Sequence, residues 1–264
     1  REFQERENRS TNATVQLSIN LKGLEIMEKS LTTVTLLLGM AMMTPMVANA
    51  QDKVEASVGA DIVSGYIWRG QDLGNVSIQP SLGVSYKGLS LSAWGSVGIS
   101  NLSGGEEQTK EFDLTLGYTT GGLNVGVTDY WFTGGPGYLK YGAHNTTHVF
   151  EATVGYDFGI AAINWFTNFA GDDYKTDGDR AYSSYVEASA PFQLGGLDFM
   201  ASIGATPFKS SAVYGDTSGF SVIDISLGAS KDIKITENYS VPIFAKITMN
   251  PKTEGTYFVF GVSF

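Results

Sequence analysis

Polar and apolar side chains alternate along most of the chain. From position 76 to 86, Val, Ile, Leu and Tyr alternate with Ser, Gln and Gly, and the alternation returns from 89 to 100. A period of two residues is typical of a β-strand with one face in an apolar environment. Lys87 and Gly88 join these two runs, and a two-residue connection that contains Gly predicts an antiparallel hairpin.

Twelve such runs follow one another. The predicted strands lie at about 54–69, 76–86, 89–100, 111–118, 123–132, 147–156, 160–170, 182–192, 197–206, 220–235, 239–250 and 257–264. Short connections near 87–88, 120–122, 157–159, 193–196 and 236–238 alternate with mostly longer ones near 70–75, 101–108, 133–146, 171–181, 207–219 and 251–255. Tight periplasmic turns that alternate with longer extracellular loops are the pattern of outer-membrane barrels. Ten or fourteen strands would require one hairpin to be merged or split.

The apolar parity of these runs is the predicted lipid-facing side. Nearly every charged residue falls on the polar parity, and a Lys or Arg that faces lipid at mid-depth costs roughly 2–4 kcal/mol. Aromatic residues of the apolar parity gather near both strand ends: Tyr86, Tyr118, Tyr156, Phe192, Tyr239 and Phe264 at one end, and Tyr66, Trp68, Tyr182 and Phe220 at the other. Two such bands are expected where rings meet lipid headgroups. A soluble β-sandwich would explain the alternation, but not both bands together with the two chain ends described next.

The last run places Phe258, Phe260, Val262 and Phe264 on one face. In a soluble protein a flat apolar edge strand invites aggregation, whereas in a closed barrel the last strand pairs with the first and no edge remains. A final Phe resembles the ending of bacterial outer-membrane barrels. That resemblance implies that the strand ending in Phe264 is recognised by the barrel assembly machinery.

The start of the chain divides into segments that the fold does not need. Residues 27–50 show a Met-Glu-Lys-Ser start, an apolar run from 31 to 43, and Ala48-Asn49-Ala50. This is the pattern of a secretory signal peptide, and the apolar run is too short for the alternative, a transmembrane anchor. Residues 1–26 precede a plausible start codon and are interpreted as an upstream segment outside the mature protein. We expect residues 51–264 to form a single barrel domain.

Composition excludes several classes of function. The chain carries a net charge of −10, which argues against a nucleic-acid partner, because phosphate binding needs a basic surface. It contains no cysteine, so a disulfide framework and a thiolate metal site are both excluded. Its 32 Gly and 7 Pro favour many short strands with tight turns.

One segment carries a family resemblance. Ser64, Tyr66, Trp68, Arg69 and Gly70 resemble the opening motif of the TorF-type porin family. The strand residue Gln79, the Trp94-Gly95-Ser96 segment and the run from Glu111 to Tyr118 are similar to later segments of that family. The resemblance covers about the first third of the mature chain and implies transport of an unspecified solute, without catalytic residues.

The polar parity supplies the candidate pore-lining residues, which are Glu55, Asp61, Arg69, Glu111, Asp113, Glu151, Glu187, Asp198, Asp224 and Lys246. Their acidic balance predicts a cation-preferring lumen. The alternative is a set of ion pairs and hydrogen bonds that fill the barrel, because twelve strands lie between the filled eight-stranded and the open sixteen-stranded barrels. Large side chains that we expect to point inward and narrow the lumen are Trp94, Phe166, Tyr185, Met200 and Phe244.

One acidic residue departs from the pattern. Asp129 shares the apolar parity of Leu123, Val125, Val127 and Trp131. We expect either a β-bulge near 128–130 that turns Asp129 inward, or a lipid-facing band that already ends there.

Further chemistry is sparse. The two histidines, His144 and His148, lie near the rim outside any recognisable motif, so we expect no enzyme activity, with a lipid-modifying barrel enzyme as the weakest alternative. The acidic segment 172–179 has carboxylates around Gly178 that Ca²⁺ could use, but it lacks EF-hand spacing, and a solvated loop is the simpler interpretation. No cofactor or metal is expected.

The sequence therefore predicts an all-β protein, a single closed antiparallel transmembrane β-barrel of 12 strands with periplasmic N- and C-termini, located in the cell outer membrane. The expected function is a porin-like channel for passive diffusion of small solutes. The alternative is a non-conducting structural barrel that presents loops. Expected partners are outer-membrane lipid and lipopolysaccharide, the assembly machinery and small solutes.

Overall fold

The computed structural model describes residues 53–100, 110–210, 212–215, 217–237 and 239–264. The predicted upstream segment 1–26, the predicted signal peptide 27–50 and the predicted loop 101–108 lie outside the described residues. They stay predictions.

The described residues form a closed antiparallel barrel of 12 strands together with a separate two-stranded hairpin. The strands are β1 (Glu55–Val63), β2 (Tyr66–Trp68), β3 (Gln71–Gly74), β4 (Ser77–Tyr86), β5 (Leu89–Gly98), β6 (Glu111–Thr120), β7 (Leu123–Phe132), β8 (His148–Asp157), β9 (Ala162–Gly171), β10 (Ser184–Leu194), β11 (Leu197–Thr206), β12 (Ser221–Lys234), β13 (Ser240–Asn250) and β14 (Gly255–Ser263). The barrel wall consists of β1 and β4–β14, each paired with its neighbours along the chain. The predicted all-β barrel and its strand count are confirmed.

The first and last wall strands close the barrel. β1 pairs with β4 over its whole length, whereas it pairs with β14 from Asp61 to Val63. The backbone of Phe264 extends this seam through two hydrogen bonds with Ala60, of 3.0 and 3.2 Å. The final apolar run therefore has a partner on both sides and presents no free edge.

Tight turns connect the strands at one end of the barrel. Lys87 and Gly88 both have positive φ, 48° and 88°, which is the backbone of the two-residue hairpin turns that match strand twist. Gly121–Gly122 and Gly195–Gly196 make corresponding turns. We call this end, where β1 begins and β14 ends, the turn end, and the opposite end, with the long connections, the loop end.

The outer face of the wall is apolar and the inner face is polar. Large apolar side chains stay exposed on every wall strand, among them Val58, Leu82, Leu91, Leu116, Val127, Val154, Ile163, Ile203, Leu227, Ile247, Phe258 and Phe260. The aromatic residues expected at the turn end are all exposed, as are Tyr182 and Phe220 at the loop end. Buried inner positions are rich in Ser, Thr, Gln, Asn, Asp and Glu. The barrel thus inverts the usual placement of apolar and polar side chains.

The predicted first strand, 54–69, is wrong in its second half. β1 ends at Val63, and the chain then forms the hairpin of β2 and β3, which we call the lumen hairpin (residues 66–74). Tyr66 is 4% exposed and Trp68 is half-buried against interior rings, so their predicted place in an aromatic band facing lipid is also wrong. The period of two misled the prediction because a returning hairpin has the same alternation as a wall strand.

The described residues form no helix that is long and apolar enough to cross a membrane.

Substitution of Gly70, at the tip of the lumen hairpin, tests how closely the tip packs against the barrel wall. Its φ is +75°, and a Cβ there would lie 1.8 Å from the carbonyl oxygen of Ile223. Gly70→Ala is therefore expected to displace the tip and expose the peptide bond after Arg69. Trypsin should then cleave this bond faster than in the unmodified protein, as measured by mass spectrometry of the fragments.

The matched control is Gly196→Ala, because Gly196 has a φ of +77° and a Cβ there would meet no atom within 4 Å. Both substitutions carry the left-handed backbone cost of about 1–2 kcal/mol, so only the steric contact differs. Equal rates of tryptic cleavage after Arg69 in both variants would contradict close packing of the hairpin tip against the wall.

Candidate functional site

The tip of the lumen hairpin presents a buried arginine to the opposite wall. Arg69, with a φ of 47°, and Gly70 form the two-residue turn between β2 and β3. The Arg69 guanidinium donates from Nη1 to Glu151 Oε2 at 2.6 Å and from Nη2 to Glu151 Oε1 at 2.9 Å. Both side chains are buried, at 3% and 1% exposure. This two-point pairing is the strongest arrangement that a guanidinium and a carboxylate form.

Four aromatic rings surround the same guanidinium. The distances from Arg69 Cζ to the ring centroids are 4.5 Å for Trp68, 4.1 Å for Phe166, 4.7 Å for Tyr185 and 5.9 Å for Tyr214. A cation within about 6 Å of a ring face is attracted to it, and more strongly when water is excluded. We call Glu151 and these four rings the arginine cage.

Hydrogen bonds orient the polar members of the cage. Tyr130 Oη donates to Glu151 Oε1 at 2.9 Å, and Arg69 Nη1 also donates to Tyr214 Oη. Burial lowers the pKa of Arg69, but the charge of Glu151, the hydrogen bonds to Glu151 and the other neighbouring groups together outweigh burial and raise that pKa well above its ordinary value. Burial raises the pKa of Tyr214 well above the usual range, although the charge of Arg69 acts in the opposite direction. Arg69 is therefore a permanent cation here, and Tyr214 stays a neutral phenol.

The rest of the lumen hairpin contacts other parts of the wall. Tyr66 packs on Trp94 of β5 with 5.5 Å between ring centroids. Ile67 belongs to an apolar cluster with Met200 of β11, Phe244 of β13 and Val259 of β14. The carbonyl of Gly70 accepts a hydrogen bond from Asn250 Nδ2 at 2.9 Å.

Side chains or backbone atoms of β5 and of every strand from β7 to β14 contact the hairpin. The lumen hairpin therefore crosses the barrel interior from one wall to the other.

The predicted inward pointing of the large residues agrees with this packing. Phe166 and Tyr185 form part of the arginine cage, Met200 and Phe244 pack on Ile67, and Trp94 packs on Tyr66.

Arg69 is the candidate pore-lining residue whose predicted position is wrong. It was expected on a wall strand, but it lies at the hairpin tip and reaches a partner 82 positions away in sequence. The physical reason is the turn at Arg69 and Gly70, whose positive φ values reverse the chain.

Most of the other candidate pore-lining residues lie on the inner face at the level of the hairpin. Glu111, Asp113, Glu151, Glu187 and Asp224 are all buried, and Lys246 is half-buried. Tyr185 Oη donates to Glu187 Oε2 at 3.2 Å, and Ser226 Oγ donates to Asp224. The charges that act on Glu187 are those of Lys246, Asp224 and Arg69. Carboxylates thus outnumber cations within this group.

The remaining candidates lie nearer the turn end. Glu55 and Asp61 are half-buried on β1, and Asp198 accepts a hydrogen bond from Gln193 at 2.7 Å in an exposed position. On β4 the partners of Glu55 and Asp61 are Ser85 and Gln79, and the inner faces of β4 and β5 also carry Ser81, Gly83, Ser90 and Ser92. Small polar residues therefore line this part of the interior, in contrast to the large rings around the hairpin.

A second ion pair lies on the outer face at the loop end. His148 Nδ1 lies 2.7 Å from Asp129 Oδ1, and His148 Nε2 lies 2.6 Å from the carbonyl oxygen of Tyr138. Tyr138 and Tyr141 belong to the connection 133–147, which folds outward over β7 and β8, and the Tyr141 ring stacks on the His148 ring at 4.1 Å. Burial and a hydrogen bond with Tyr141 raise the pKa of Tyr138 to about 12.

The predicted bulge at 128–130 is wrong. Asp129 pairs in regular register with Leu114 and Phe150 and keeps its outward side, while the register shift nearby falls between Phe150 and Glu151. The outward position is tolerated because His148 and the connection 133–147 cover the carboxylate, which is 14% exposed.

The same geometry bears on the histidine chemistry. Both ring nitrogens of His148 lie within hydrogen-bond distance of an oxygen atom, Asp129 Oδ1 for Nδ1 and the Tyr138 carbonyl oxygen for Nε2.

The acidic segment 172–179 uses its carboxylates locally. Asp173 accepts hydrogen bonds from the backbone and the hydroxyl of Ser183 at 3.0 and 2.6 Å, and Asp177 accepts one from the backbone of Asp179 at 3.1 Å. Among the residues that the structure describes, no group of three or more His, Asp or Glu converges as a metal site would require.

Comparison with known proteins adds a family. A model of the family described as bacterial protein of unknown function (Gcw_chp) matches residues 47–244. The chain belongs to the Gcw_chp family. The matched region contains the lumen hairpin and every member of the arginine cage. No curated protein matches the chain.

Sequence reasoning missed the arginine cage as a unit. Phe166 and Tyr185 were expected to point inward. Tyr214 lies in the connection between β11 and β12, where no sequence pattern indicated that its side chain enters the lumen. The available signal was Gly70 directly after Arg69, because a Gly within a strand pattern favours a turn over a continuing strand.

The Arg69–Glu151 pair predicts a large loss of stability when one partner is removed. Glu151→Gln leaves the guanidinium buried without a countercharge, and breaking a buried pair costs about 3–5 kcal/mol. We expect this decrease in the free energy of unfolding, measured by denaturant titration in detergent micelles. The control Asp198→Asn removes an exposed carboxylate with one hydrogen bond and is expected to cost less than about 1 kcal/mol. Similar losses in both variants would contradict the importance of the pair.

The connection 133–147 is predicted to depend on His148. His148→Ala leaves the Asp129 carboxylate and the Tyr138 carbonyl without their donor, at a cost of about 1–3 kcal/mol each. The connection should detach, so trypsin should cleave faster after the exposed residue Lys140. The control is His144→Asn, because His144 stacks on Tyr174 instead and its φ of 59° suits Asn. Unchanged cleavage in the His148 variant would show that other contacts hold the connection.

Proposed function

We propose that this protein is an outer-membrane barrel that provides a gated path for small solutes, with the lumen hairpin as the gate. The apolar outer face supports a membrane location. Monomeric soluble proteins rarely expose continuous apolar patches beyond a few hundred Å², whereas here exposed apolar side chains surround the whole wall. In a closed barrel every wall strand pairs its backbone N–H and C=O groups with neighbouring strands. Strands can cross lipid only when these groups are paired.

The observation that carries the gating proposal is the Arg69–Glu151 pair across the interior. It joins the hairpin to β8 through two charge-assisted hydrogen bonds in a buried position. With the hairpin in this place, its side chains and the large inward-facing side chains of the wall pack together inside the lumen. We therefore infer that a solute path opens when the hairpin leaves.

The lumen charge supports a preference for cations in the open state. When the hairpin leaves, the Arg69 charge leaves with it, and Glu151 joins the buried carboxylates Glu111, Asp113, Glu187 and Asp224. Opening thus makes the interior more acidic, and acidic rings favour cations. The similarity to TorF-type porins is compatible with this function.

A second candidate function is a permanently closed structural barrel. The observation in its favour is the same buried Arg69–Glu151 pair, because such a strong contact could also hold the hairpin in the lumen permanently. This alternative predicts no solute path, and conductance distinguishes the two.

The setting of the protein is part of the proposal. We propose a mature chain from residue 51 with periplasmic termini, contacts with outer-membrane lipid and lipopolysaccharide, and recognition of the strand ending in Phe264 by the assembly machinery. We also propose that the barrel does no catalysis. The occupied nitrogens of His148 support that view.

Removal of the lumen hairpin tests the gate. Val63 pairs with Ser77, so a short Gly-Ser-Gly turn can replace residues 65–74 without straining the wall. Planar-bilayer recordings should show rare or small openings for the unmodified protein. The shortened variant should show steady conductance with a permeability that favours cations over anions.

The matched control shortens another loop-end connection. Residues 175–179 lie between Tyr174 and Arg180, which form a bridge of their own, and their removal should leave the recordings unchanged. If the folded hairpin-free barrel keeps the bilayer sealed, the gated path is wrong and the structural barrel stands.

A further inference from the structure

We propose that the arginine cage is a binding site for solutes that carry a guanidinium group, and that Arg69 occupies it as a built-in ligand. Its role in transport rests on the proposed function, whereas binding itself does not.

The cage belongs mainly to the wall. Glu151 lies on β8, Phe166 on β9 and Tyr185 on β10, and Tyr214 comes from the connection between β11 and β12. Trp68 is the one cage member contributed by the hairpin. Four of the five groups therefore remain together when the hairpin leaves, with Tyr130 still orienting Glu151.

The geometry selects a guanidinium over other cations. Glu151 presents both carboxylate oxygens to two parallel N–H donors, a match that a planar guanidinium provides and a compact ammonium does not. The ring faces of Phe166 and Tyr185 lie 4.1 and 4.7 Å from the cation, which suits a delocalised and weakly hydrated charge. Ca²⁺ or Mg²⁺ would instead need six or more oxygen ligands.

A further acceptor lies beside the cage. Glu187 Oε1 is buried and has no hydrogen-bond partner among the described residues, and the charge of Arg69 acts on this carboxylate. Glu187 is therefore placed to accept from a solute that brings more donors than the Arg69 side chain does.

Because solute and hairpin use the same groups, they compete. A guanidinium solute that enters from the turn end, along the small polar residues of β4 and β5, would displace Arg69 and release the hairpin. Binding then favours the open state, because the solute binds it and not the closed one.

Chemical rescue tests the site. Arg69→Ala empties the guanidinium position, and added guanidinium chloride should raise the thermal unfolding midpoint of this variant in detergent micelles. A concentration of ~20 mM is roughly a hundredth of that used for denaturation. Sodium chloride at the same concentration should not raise the midpoint. Tetramethylammonium can contact the rings but cannot donate hydrogen bonds, so its dissociation constant should be at least ~10-fold higher.

Two variants separate the cage from general loosening of the hairpin. Ile67→Ala weakens the same hairpin two residues away, in the cluster with Met200 and Phe244, and guanidinium should not rescue it. Adding Glu151→Gln to Arg69→Ala should abolish rescue. Equal rescue of the Ile67 variant, or rescue that survives the loss of Glu151, would overturn the proposal.

Folding failure does not remove the test. If the Arg69→Ala variant does not refold alone, its refolding yield with guanidinium chloride against sodium chloride becomes the measurement, and equal yields would overturn the site. Rescue by guanidinium in a barrel that never conducts would support the site and reject the gated path. Conductance without rescue would do the reverse.

Discussion

A buried guanidinium–carboxylate pair determines the state of the barrel interior. Charges removed from water are costly unless a partner and hydrogen bonds compensate, and Arg69 obtains both from Glu151, Tyr214 and the aromatic rings around it. Because the arginine sits on a hairpin and the carboxylate on the wall, this compensation exists only while the hairpin crosses the lumen. This electrostatic requirement therefore acts together with the contacts of Tyr66, Ile67 and Gly70 to position the nine-residue segment 66–74.

That requirement arises inside a fold whose wall needs no internal core. The strands satisfy their backbone by closing on one another, with the seam from Asp61 to Val63 joining the first wall strand to the last. The outer face is apolar, so the interior is where charged and polar groups must find partners. Small polar residues line the inner faces of β4 and β5, whereas large rings and buried carboxylates surround the hairpin.

The lumen hairpin and the connection 133–147 fold back onto opposite faces of the wall, and each is held there by a similar pair of side chains. The lumen hairpin turns inward and is held by Arg69 on Glu151, whereas the connection 133–147 turns outward and is held by His148 on Asp129. In each case aromatic rings cover the ion pair and exclude water from it. Both pairs explain charges that a simple alternation of lipid-facing and lumen-facing positions leaves unexplained. The inner pair holds the hairpin inside the barrel, and the outer pair covers a carboxylate that would otherwise face an apolar environment.

The sequence by itself determined the barrel, because alternation, two-residue glycine turns and the apolar final run are local patterns that survive without knowledge of partners. It also identified most of the inward-facing carboxylates and large rings. Only the tertiary structure decided that the chain turns inward after Val63, since a hairpin and a wall strand share a period of two. The same holds for Arg69, whose partners Glu151 and Tyr214 lie 82 and 145 positions away, and for Asp129, whose outward side is tolerated through His148. Contacts at such separations are set by closure of the sheet, which no local pattern encodes.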